Sequence, residues 1–398
     1  MADTPNIRIE GFEDDWVEKQ LGDLYIERNE RGNDSLQILS VSIHSGVSDG
    51  ELDEDGLGKV VRRSEDKSTY KHVYPGDLIF NMMRAWQGAI GVAKIEGMIS
   101  PAYISAVPND EVYPPFMDYL LRRKEVIDQI NNLSYGVTDF RKRLYWDSFV
   151  KVKCFFPSVE EQKKIVHVLE ELDKNISHQE KEVVGLKKLK QYLLQKMFPR
   201  DGERVPEIRF EGYSDDWEER KYSEVINLLS GQDFEPSAYN DEGHGIPYMT
   251  GASCVENGKT IVSRWTETPK CVANRGDVLL VCKGSGCGTI AVLSQEKAHI
   301  ARQFMALKCT KELDANYNYY LANSVVSDIT KDARGLIAGI ARDAVLNQGI
   351  MLPKILEQQV IGDYFRHIDN LITLHQRKLD TLKTFKTYLL QNMFLKED

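Results

Sequence analysis

The amino-acid sequence predicts an α+β protein whose architecture is written twice. We expect two tandem α+β domains separated by two long helices, which pack as an antiparallel coiled coil in a pseudo-two-fold circular arrangement. Three observations predict this fold: an opening segment that recurs in mid-chain, two long heptad-patterned segments that match each other, and short β-like runs between them.

The opening segment of the chain recurs in its second half. Residues 5–16 and 206–217 share 8 of 12 positions at an offset of 201, and both end in the letters DDW. Residues 157–198 and 353–394 share 15 of 42 positions at an offset of 196 without a gap. Agreement on this scale indicates an internal duplication. The duplication predicts a first domain at 1–156, a first spacer helix at 157–200, a second domain at 201–352 and a second spacer helix at 353–398.

Each middle region has α+β character. In the first half, short β-like runs are separated by Gly, Pro and Asp, at residues 36–43, 78–82, 89–95 and 102–107. Residues 115–130 and 316–330 look helical. A Gly-Asp pair precedes an apolar run in both halves, at residues 76–77 and 276–277. The ends of the two repeats are therefore alike, whereas the middles have diverged.

The two matching long segments carry apolar residues in a 4-3 spacing over nearly five heptads, which is typical of helices with one apolar seam. Polar residues fill two seam positions of each helix: Gln179 and Lys190 in the first, His375 and Lys386 in the second. The residues predicted to join the helices or bind partners are Ile165, Leu169, Leu172, Ile176, Lys190, Leu193, Ile361, Phe365, Ile368, Ile372, Lys386 and Leu389. The alternative is two ordinary amphipathic helices packed on separate cores.

Length and composition exclude several classes of protein. The chain has 398 residues, 42% hydrophobic and 28% charged, which is an ordinary globular profile of two to three domains. It contains no apolar run long enough to span a bilayer, and its start is not expected to be a signal peptide. Six scattered cysteines form no CxxC pair, which favours reduced thiols in a cytoplasm. A net charge of −10 argues against a general nucleic-acid binder.

The order of the segments constrains the arrangement of the chain. The first helix leaves one domain and arrives at the other, and the second helix must run back. A pair in contact is therefore antiparallel, with one domain at each end and Phe394 beside residue 5. Two similar domains with diverged middles, held at a fixed separation, suit the recognition of two different features on a long regular polymer. DNA is such a polymer, since successive turns present the same groove face to two readers.

The chain resembles, over essentially its whole length, the specificity subunit of type I restriction–modification systems. The segments that carry the resemblance are the two DDW opening repeats, the two Gly-Asp segments, the helix starts with Pro157, Glu161, Gln162 and Ile165 or with Pro353, Glu357, Gln358 and Ile361, and the YLLQxMF ends at 192–198 and 388–394. Each motif alone is weak, but the duplicated set occurs in order.

The resemblance implies a DNA sequence-specificity subunit with two target-recognition domains. Each domain would read one half of a bipartite, asymmetric site in double-stranded DNA, and the helices would set the spacing. The implied partners are two adenine methyltransferase subunits and two ATP-driven translocase/endonuclease subunits. This chain would be non-catalytic alone and hold no cofactor or metal, while S-adenosylmethionine, ATP and Mg²⁺ belong to the partners. It would be cytoplasmic and would not bind a membrane.

Several loops are candidates for contact with DNA. Residues 81–88 and 282–288 lie between predicted strands and offer side chains that can pair with base edges. The basic run at 135–143 favours contact with phosphates. The alternatives are a solvated hairpin tip with a packed Trp and a solvated charged loop. The candidate DNA-binding residues are His44, Ser45, Arg84, Trp86, Gln87, Arg141, Lys142, Arg143, Thr250, Ser253, Lys283, Ser285, Arg302, Gln303, Arg334 and Arg342.

Catalytic motifs are weak in this sequence. Residues 113–116 (YPPF) nearly match the [ND]PP[YF] motif of adenine methylases, but Tyr113 cannot supply the required side-chain oxygen, so we interpret the segment as a helix start. The GxGxG in 284–288 does not open a helix and lacks the GK[ST] of a phosphate-binding loop. The alternative function is a tandem α+β scaffold with a coiled-coil spacer that binds protein or carbohydrate repeats.

Overall fold

The computed structural model describes residues 4–33, 35–43, 46–48, 68–136, 142–199, 202–284, 286–331 and 339–395. The chain divides into two compact units: unit 1 comprises Met1–His178 and Lys378–Asp398, and unit 2 comprises Gln179–Arg377. Within the described ranges, no helix is both long enough and apolar enough to cross a membrane.

Unit 1 mixes short strands and helices. Its described strands are β1 (Val17–Gln20), β2 (Tyr25–Arg28), β3 (Val41–Ser42), β4 (Gly46–Val47), β5 (Lys71–Val73), β6 (Leu78–Asn81), β7 (Ile90–Val92), β8 (Gly97–Ile99), β9 (Tyr103–Pro108) and β10 (Lys153–Phe156). Its shorter helices are α1 (Leu21–Leu24), α2 (Pro114–Leu120), α3 (Lys124–Leu133) and α4 (Trp146–Phe149), with a 3-10 turn at Ala85–Gln87. The first long helix, α5 (Val159–Lys196), begins in unit 1 and continues into unit 2.

Unit 2 repeats this order with additional strands. The described strands are β11 (Glu218–Lys221), β12 (Ile226–Ser230), β13 (Ile246–Met249), β14 (Val255–Glu256), β15 (Lys259–Thr260), β16 (Trp265–Thr266), β17 (Val272–Asn274), β18 (Val278–Val281), β19 (Ile290–Val292), β20 (Lys297–Ile300), β21 (Phe304–Cys309) and β22 (Gly349–Leu352). The helices are α6 (Tyr222–Val225), α7 (Ala315–Ile329), α8 (Arg342–Leu346) and α9 (Ile355–Asn392), with 3-10 turns at Pro236–Ala238 and Ala252–Cys254.

The same sheet framework occurs in both units. Unit 1 has a four-stranded antiparallel sheet in the order β2-β9-β6-β7, and unit 2 has the equivalent order β12-β21-β18-β19, extended by β15 and β14. The first and last strands of each domain also pair, β1 with β10 and β11 with β22. Strand β5 pairs with β8 as β17 pairs with β20. The predicted α+β class is therefore confirmed, and the sheet is the part that the two units share.

The central strands are buried on both faces. Successive side chains of a strand point to opposite sides, so Leu78 and Phe80 of β6 enter the main core of unit 1 while Ile79 enters a second, smaller core. In unit 2, Leu280 of β18 lies in the main core and Leu279 in the smaller one. This double burial explains why these strands are continuous apolar runs in the sequence.

The Gly-Asp pair before each central strand builds a turn. Gly76 and Gly276 have positive φ values of 95° and 87°, which a residue without a Cβ adopts without strain. The carboxylate of Asp77 accepts from Tyr74 N at 2.9 Å, and that of Asp277 accepts from Asn274 N at 2.7 Å. The shared Gly-Asp pair is thus a structural feature of the turn.

One predicted helix is interrupted. The segment expected to be helical over 115–130 forms α2 and α3, and Arg123 between them adopts an extended conformation. The Arg123 guanidinium lies over the Phe394 ring, and its Nη1 donates to Leu395 O at 2.7 Å. The break therefore turns a buried cation toward the end of α9. Helix α2 begins with Pro114 and Pro115, as the interpretation of YPPF as a helix start requires.

The two long helices each contain 38 residues, which corresponds to about 57 Å at 1.5 Å per residue. Within unit 2 their segments run antiparallel. His375 Nδ1 lies 2.9 Å from Gln179 Oε1, and Lys190 Nζ donates to Asp369 at 2.6 Å. The polar seam positions predicted from the heptads are therefore paired in the structure.

Each helix pair is also tied to its domain by a tyrosine. In unit 2, Tyr320 donates to Asp369 at 2.7 Å. In unit 1, Tyr119 of α2 donates at 3.0 Å to Asp173 of α5, which also accepts from Lys386 of α9. Burial, together with the neighbouring carboxylate, raises the pKa of both tyrosines, so that each remains a hydrogen-bond donor.

The opening repeat of each half fastens to the start of a long helix. Arg8 donates to both carboxylate oxygens of Glu161 at 2.9 Å. Arg209 makes the same two contacts with Glu357 at 2.7 and 2.8 Å. The carboxylates are almost fully buried, with 2% exposure of each side chain. Bidentate pairing of this kind satisfies a buried charge.

The adjacent glutamines, Gln162 and Gln358, join the helices to the domain loops. Each is buried and accepts a backbone N–H, from Tyr113 at 2.8 Å or from Asp314 at 2.9 Å. The Glu-Gln pair in each helix start is therefore explained by packing of the scaffold.

The tryptophan of each opening repeat packs on the phenylalanine that ends a long helix. Trp16 meets Phe394 edge-on at 6.3 Å in unit 1, and Trp217 meets Phe198 at the same distance in unit 2. Ile7 N donates to Asn392 O at 2.9 Å, and the equivalent Ile208 N donates to Lys196 O. The expectation that Phe394 lies beside the opening segment is confirmed within unit 1.

We predict that replacing Glu161 by Gln lowers the free energy of unfolding by about 2 kcal/mol, because Arg8 loses a charged, bidentate partner in a buried site. Glu357→Gln should have a similar effect, since Arg209 repeats the contact. Urea unfolding followed by circular dichroism measures both. The control is Lys163→Gln, which removes an exposed ion pair with Glu160 and should leave the midpoint unchanged. Equal losses in the control and in Glu161→Gln would contradict the prediction.

Candidate nucleic-acid interface

In unit 1, several loops converge at one end of the central sheet. The hairpin loop (82–89) joins β6 to β7, and the strand turn (100–102) joins β8 to β9. Met82 N donates to Ala102 O at 3.2 Å, and Leu144 N donates to Met82 O at 2.8 Å. The segment around Leu144 therefore forms a third member of this loop cluster.

Unit 2 repeats the loop cluster with the same backbone contacts. Its hairpin loop is 282–289 and its strand turn is 301–303. Cys282 N donates to Gln303 O at 2.7 Å, and Ile340 N donates to Cys282 O at 2.8 Å. Gly88 and Gly288 close the two hairpin loops with φ values of 98° and 93°. The two clusters are therefore equivalent in backbone geometry.

The two clusters carry their large polar side chains on different loops. In unit 1, the hairpin loop carries large side chains at Arg84, Trp86 and Gln87, and its strand turn carries Pro101 and Ala102. In unit 2, hairpin residues 284–286 are Gly, Ser and Gly, and the strand turn carries an arginine and a glutamine at 302 and 303. One backbone arrangement thus presents different chemistry from different loops.

Arg84 and Gln87 of unit 1 are exposed, whereas Trp86 is half-buried. The Trp86 ring packs against the main core, and its Nε1 donates to Met83 O at 3.0 Å. Trp86 therefore supports the hairpin loop, as the alternative of a packed Trp describes. Arg143 is exposed, and its backbone pairs with that of Tyr135 at 2.9 and 3.1 Å.

Lys283, Arg302 and Gln303 of unit 2 are exposed on the loop cluster, and Ser253 is exposed on the neighbouring 3-10 turn. Ala301 N donates to Met249 O at 2.8 Å, which brings Thr250 beside the strand turn. The amide of Gln303 lies close against Gly251, where a Cβ would displace it. The structure therefore brings Lys283, Arg302 and Gln303 together on one loop cluster, with Thr250 and Ser253 on the neighbouring segment.

Other predicted DNA-binding residues have different positions. Lys142 is half-buried. The Arg342 guanidinium donates to Ser230 Oγ at 2.5 Å and Leu228 O at 3.0 Å, so it secures the β12 strand. The predicted residues that lie outside the described ranges are His44, Ser45, Arg141, Ser285 and Arg334.

The residues predicted to join the helices or bind partners are mostly internal. Lys190, Ile372 and Lys386 are half-buried. The buried members are Ile165, Leu169, Leu172, Ile176, Leu193, Ile361, Phe365, Ile368 and Leu389. They belong to the main cores, so the helical seam packs on the domains as well as on the other helix.

Asp233 was not singled out from the sequence. It lies in the loop after β12 and contacts Arg302, 69 residues later. No local sequence pattern predicts this contact, because it depends on how the loop folds over the strand turn. In the described part of the chain, no group of three or more His, Cys, Asp or Glu side chains is arranged to hold a metal ion.

Comparison with known proteins shows which family this chain resembles. Residues 214–384 match the family described as "Type I restriction modification DNA specificity domain". The putative type I restriction enzyme MjaX specificity subunit of Methanocaldococcus jannaschii is 23% identical over 397 residues, covering 94% of this chain and 91% of the relative. Over most of its length, this chain is similar to type I restriction enzyme specificity subunits. The MjaVIII specificity subunit of the same organism is 22% identical and covers 73% of this chain and 72% of its own length.

Solved structures of type I specificity subunits share the fold. The S subunit of a type I restriction–modification system from M. genitalium has a TM-score of 0.62 at 14% identity and covers 99% of this chain and 100% of its own. The HsdS subunit from Thermoanaerobacter tengcongensis has a TM-score of 0.52 at 22% identity, with 99% of each chain covered. The predicted resemblance to type I specificity subunits is confirmed, and the alternative of a protein- or carbohydrate-binding scaffold is not supported.

Proposed function

We propose that this chain selects the DNA site of a type I restriction–modification complex, with each unit reading one half of a split, asymmetric site. The observation that carries the proposal is the repeated loop cluster with exchanged side chains. Two equivalent backbones with different side chains suit two different short sequences. The target-recognition domains would be residues 1–156 and 201–352, and the spacer helices would lie at 157–200 and 353–398.

The side chains of the two clusters match the edges of DNA bases. Arginine pairs with guanine O6 and N7, and glutamine pairs with adenine N6 and N7. We assign base contacts to Arg84 and Gln87 in unit 1 and to Lys283, Arg302 and Gln303 in unit 2. The hydroxyls of Thr250 and Ser253 serve as further contacts, and the exposed Arg143 serves as a phosphate contact. Phosphate contacts position the protein while base contacts specify the sequence.

The chemistry of methylation and cleavage belongs to partner subunits in this proposal. Two adenine methyltransferase subunits hold S-adenosylmethionine, and two translocase/endonuclease subunits hold ATP and Mg²⁺. The assembly acts on double-stranded DNA in the cytoplasm. Because this chain carries a net charge of −10, its partners supply many of the phosphate contacts, and the isolated chain binds its site weakly.

Exposed apolar side chains at equivalent helix positions support paired partner sites. Leu189 and Tyr192 of α5 correspond, at an offset of 196, to Phe385 and Tyr388 of α9. All four are between 44% and 51% exposed. Exposed apolar patches of this kind mark protein interfaces. Because the patch occurs once in each unit, we assign one methyltransferase subunit to each patch.

We predict that Tyr192→Asp removes one methyltransferase subunit from the co-expressed complex, and that Tyr192→Asp with Tyr388→Asp removes both. The charge would be buried without a partner in each interface. Native mass spectrometry counts the subunits. Val184→Asp is the matched control, because Val184 is equally exposed but its equivalent is Asp380, so the position is not part of the repeated patch. Loss of a subunit in the control, or full retention in the double variant, would contradict the assignment.

The proposed function is tested by mapping N6-methyladenine across the genome in cells with and without this gene, with the methyltransferase partner present. We expect a single split, asymmetric motif to lose its methylation when the gene is deleted. An unchanged methylation pattern in a strain whose methyltransferase is demonstrably active would overturn the proposal.

A further inference from the structure

Arg302 is held by a carboxylate at one end of its guanidinium. Asp233 Oδ1 accepts from the Arg302 backbone N at 3.0 Å, and Asp233 Oδ2 lies 2.6 Å from Arg302 Nε. The Arg302 side chain is nevertheless 69% exposed. One carboxylate therefore contacts both the backbone and the side chain of the same arginine, which limits the directions in which the guanidinium can point.

The loop that carries Asp233 is fixed by buried contacts. Gly231 N donates to Phe304 O at 3.0 Å, and Gln232 N donates to Ile300 O at 3.0 Å. A Cβ on Gly231 would collide with the backbone carbonyl of Ala301, so only glycine allows this close approach. The segment that precedes Asp233 is thus hydrogen-bonded to Ile300 and Phe304, the two residues that flank the strand turn.

His299 secures the same loop from beneath. It is fully buried, and its Nδ1 accepts from Lys270 N and Cys271 N at 3.2 and 3.1 Å. Its Nε2 therefore carries the proton and donates to Gln232 O at 2.7 Å. The ring also stacks on Phe234 with centroids 4.1 Å apart. Burial lowers the pKa of His299, which keeps the ring neutral.

The Arg302 guanidinium contacts Asp233 through Nε, and its side chain is largely exposed. Within the described part of the chain, the Nη1 and Nη2 groups of Arg302 make no protein hydrogen bond. Gln303 and Lys283 are also exposed on the loop cluster. Two parallel N–H groups on a fixed arginine match the O6 and N7 acceptors of a guanine in the major groove.

We propose that Arg302 reads a guanine in the half-site recognised by unit 2, and that Asp233 is the positioning residue that orients it. This inference rests on the proposed function and names a specificity-determining pair within it. The equivalent position in unit 1 is Pro101, which offers no donor. The guanine contact therefore belongs to one half of the site and contributes to its asymmetry.

The test is the methylation motif produced by variants of this chain in the assembled complex. Arg302→Ala should relax one guanine position of one half-site to several bases, with the preference for guanine falling about 10- to 100-fold. The rest of that half-site, the other half-site and the spacer should remain. In vitro methylation of duplexes in which that guanine is replaced by each other base measures the change. Asp233→Asn should relax the same position to a smaller degree. The Asn side chain can still accept from the Arg302 backbone N–H, but the negative charge that faces Arg302 Nε is removed.

Two further variants make the outcome decisive. Arg220→Ala is the matched control, since Arg220 is also paired with carboxylates but lies on β11, outside the loop cluster, and the motif should not change. If Arg302→Ala abolishes methylation, Arg302→Gln tests the same position with a side chain that pairs with adenine, and guanine selectivity should be lost.

Several results would overturn the assignment of Arg302. These are a motif without guanine in either half-site, an unchanged motif in Arg302→Ala, retained guanine selectivity in Arg302→Gln, or an equal loss at all sites, which would indicate a phosphate contact. A wild-type chain on which no methylation motif depends would instead overturn the proposed function itself.

Discussion

The buried ion pair between an opening repeat and the start of a long helix is the constraint on which the structure depends. It is made twice, by Arg8 with Glu161 and by Arg209 with Glu357. Replacing one partner alone would leave the other as an unpaired buried charge, so a single substitution is strongly destabilising. The tryptophan of each opening repeat then packs on the phenylalanine that ends a helix. These contacts explain why the ends of the two repeats stayed alike.

The loop cluster in the middle of each repeat takes no part in these ion pairs. Its backbone hydrogen bonds recur in both units, but they involve main-chain groups and leave the side chains free to vary. Unit 1 places its exposed polar groups on the hairpin loop, at Arg84 and Gln87, whereas unit 2 places Arg302 and Gln303 on the strand turn. A shared backbone with exchanged side chains allows recognition to diverge without disturbing the core.

The duplication, the long helices and the polar seam positions could be predicted from the sequence, because each leaves a local pattern. The heptads indicated that Gln179 and His375 occupy equivalent seam positions, and the structure brings these two side chains together. The interruption at Arg123 and the contact between Asp233 and Arg302 could not be predicted, since both depend on tertiary packing between distant segments. Arg342 was a candidate for contact with DNA, and no pattern in the sequence indicates that its guanidinium hydrogen-bonds Ser230 and Leu228 of β12.

We propose that the helices set the spacing of the split site while the loop clusters select the bases that are read. Inserting seven residues at equivalent positions, after Lys181 and after Arg377, preserves the heptad phase and lengthens each helix by about 10 Å. The direct measurement is the methylation motif of the complex that contains this variant. We expect the spacer to grow by about three base pairs, at ~3.4 Å each, with both half-sites unchanged. A motif with altered bases and an unchanged spacer would contradict the account.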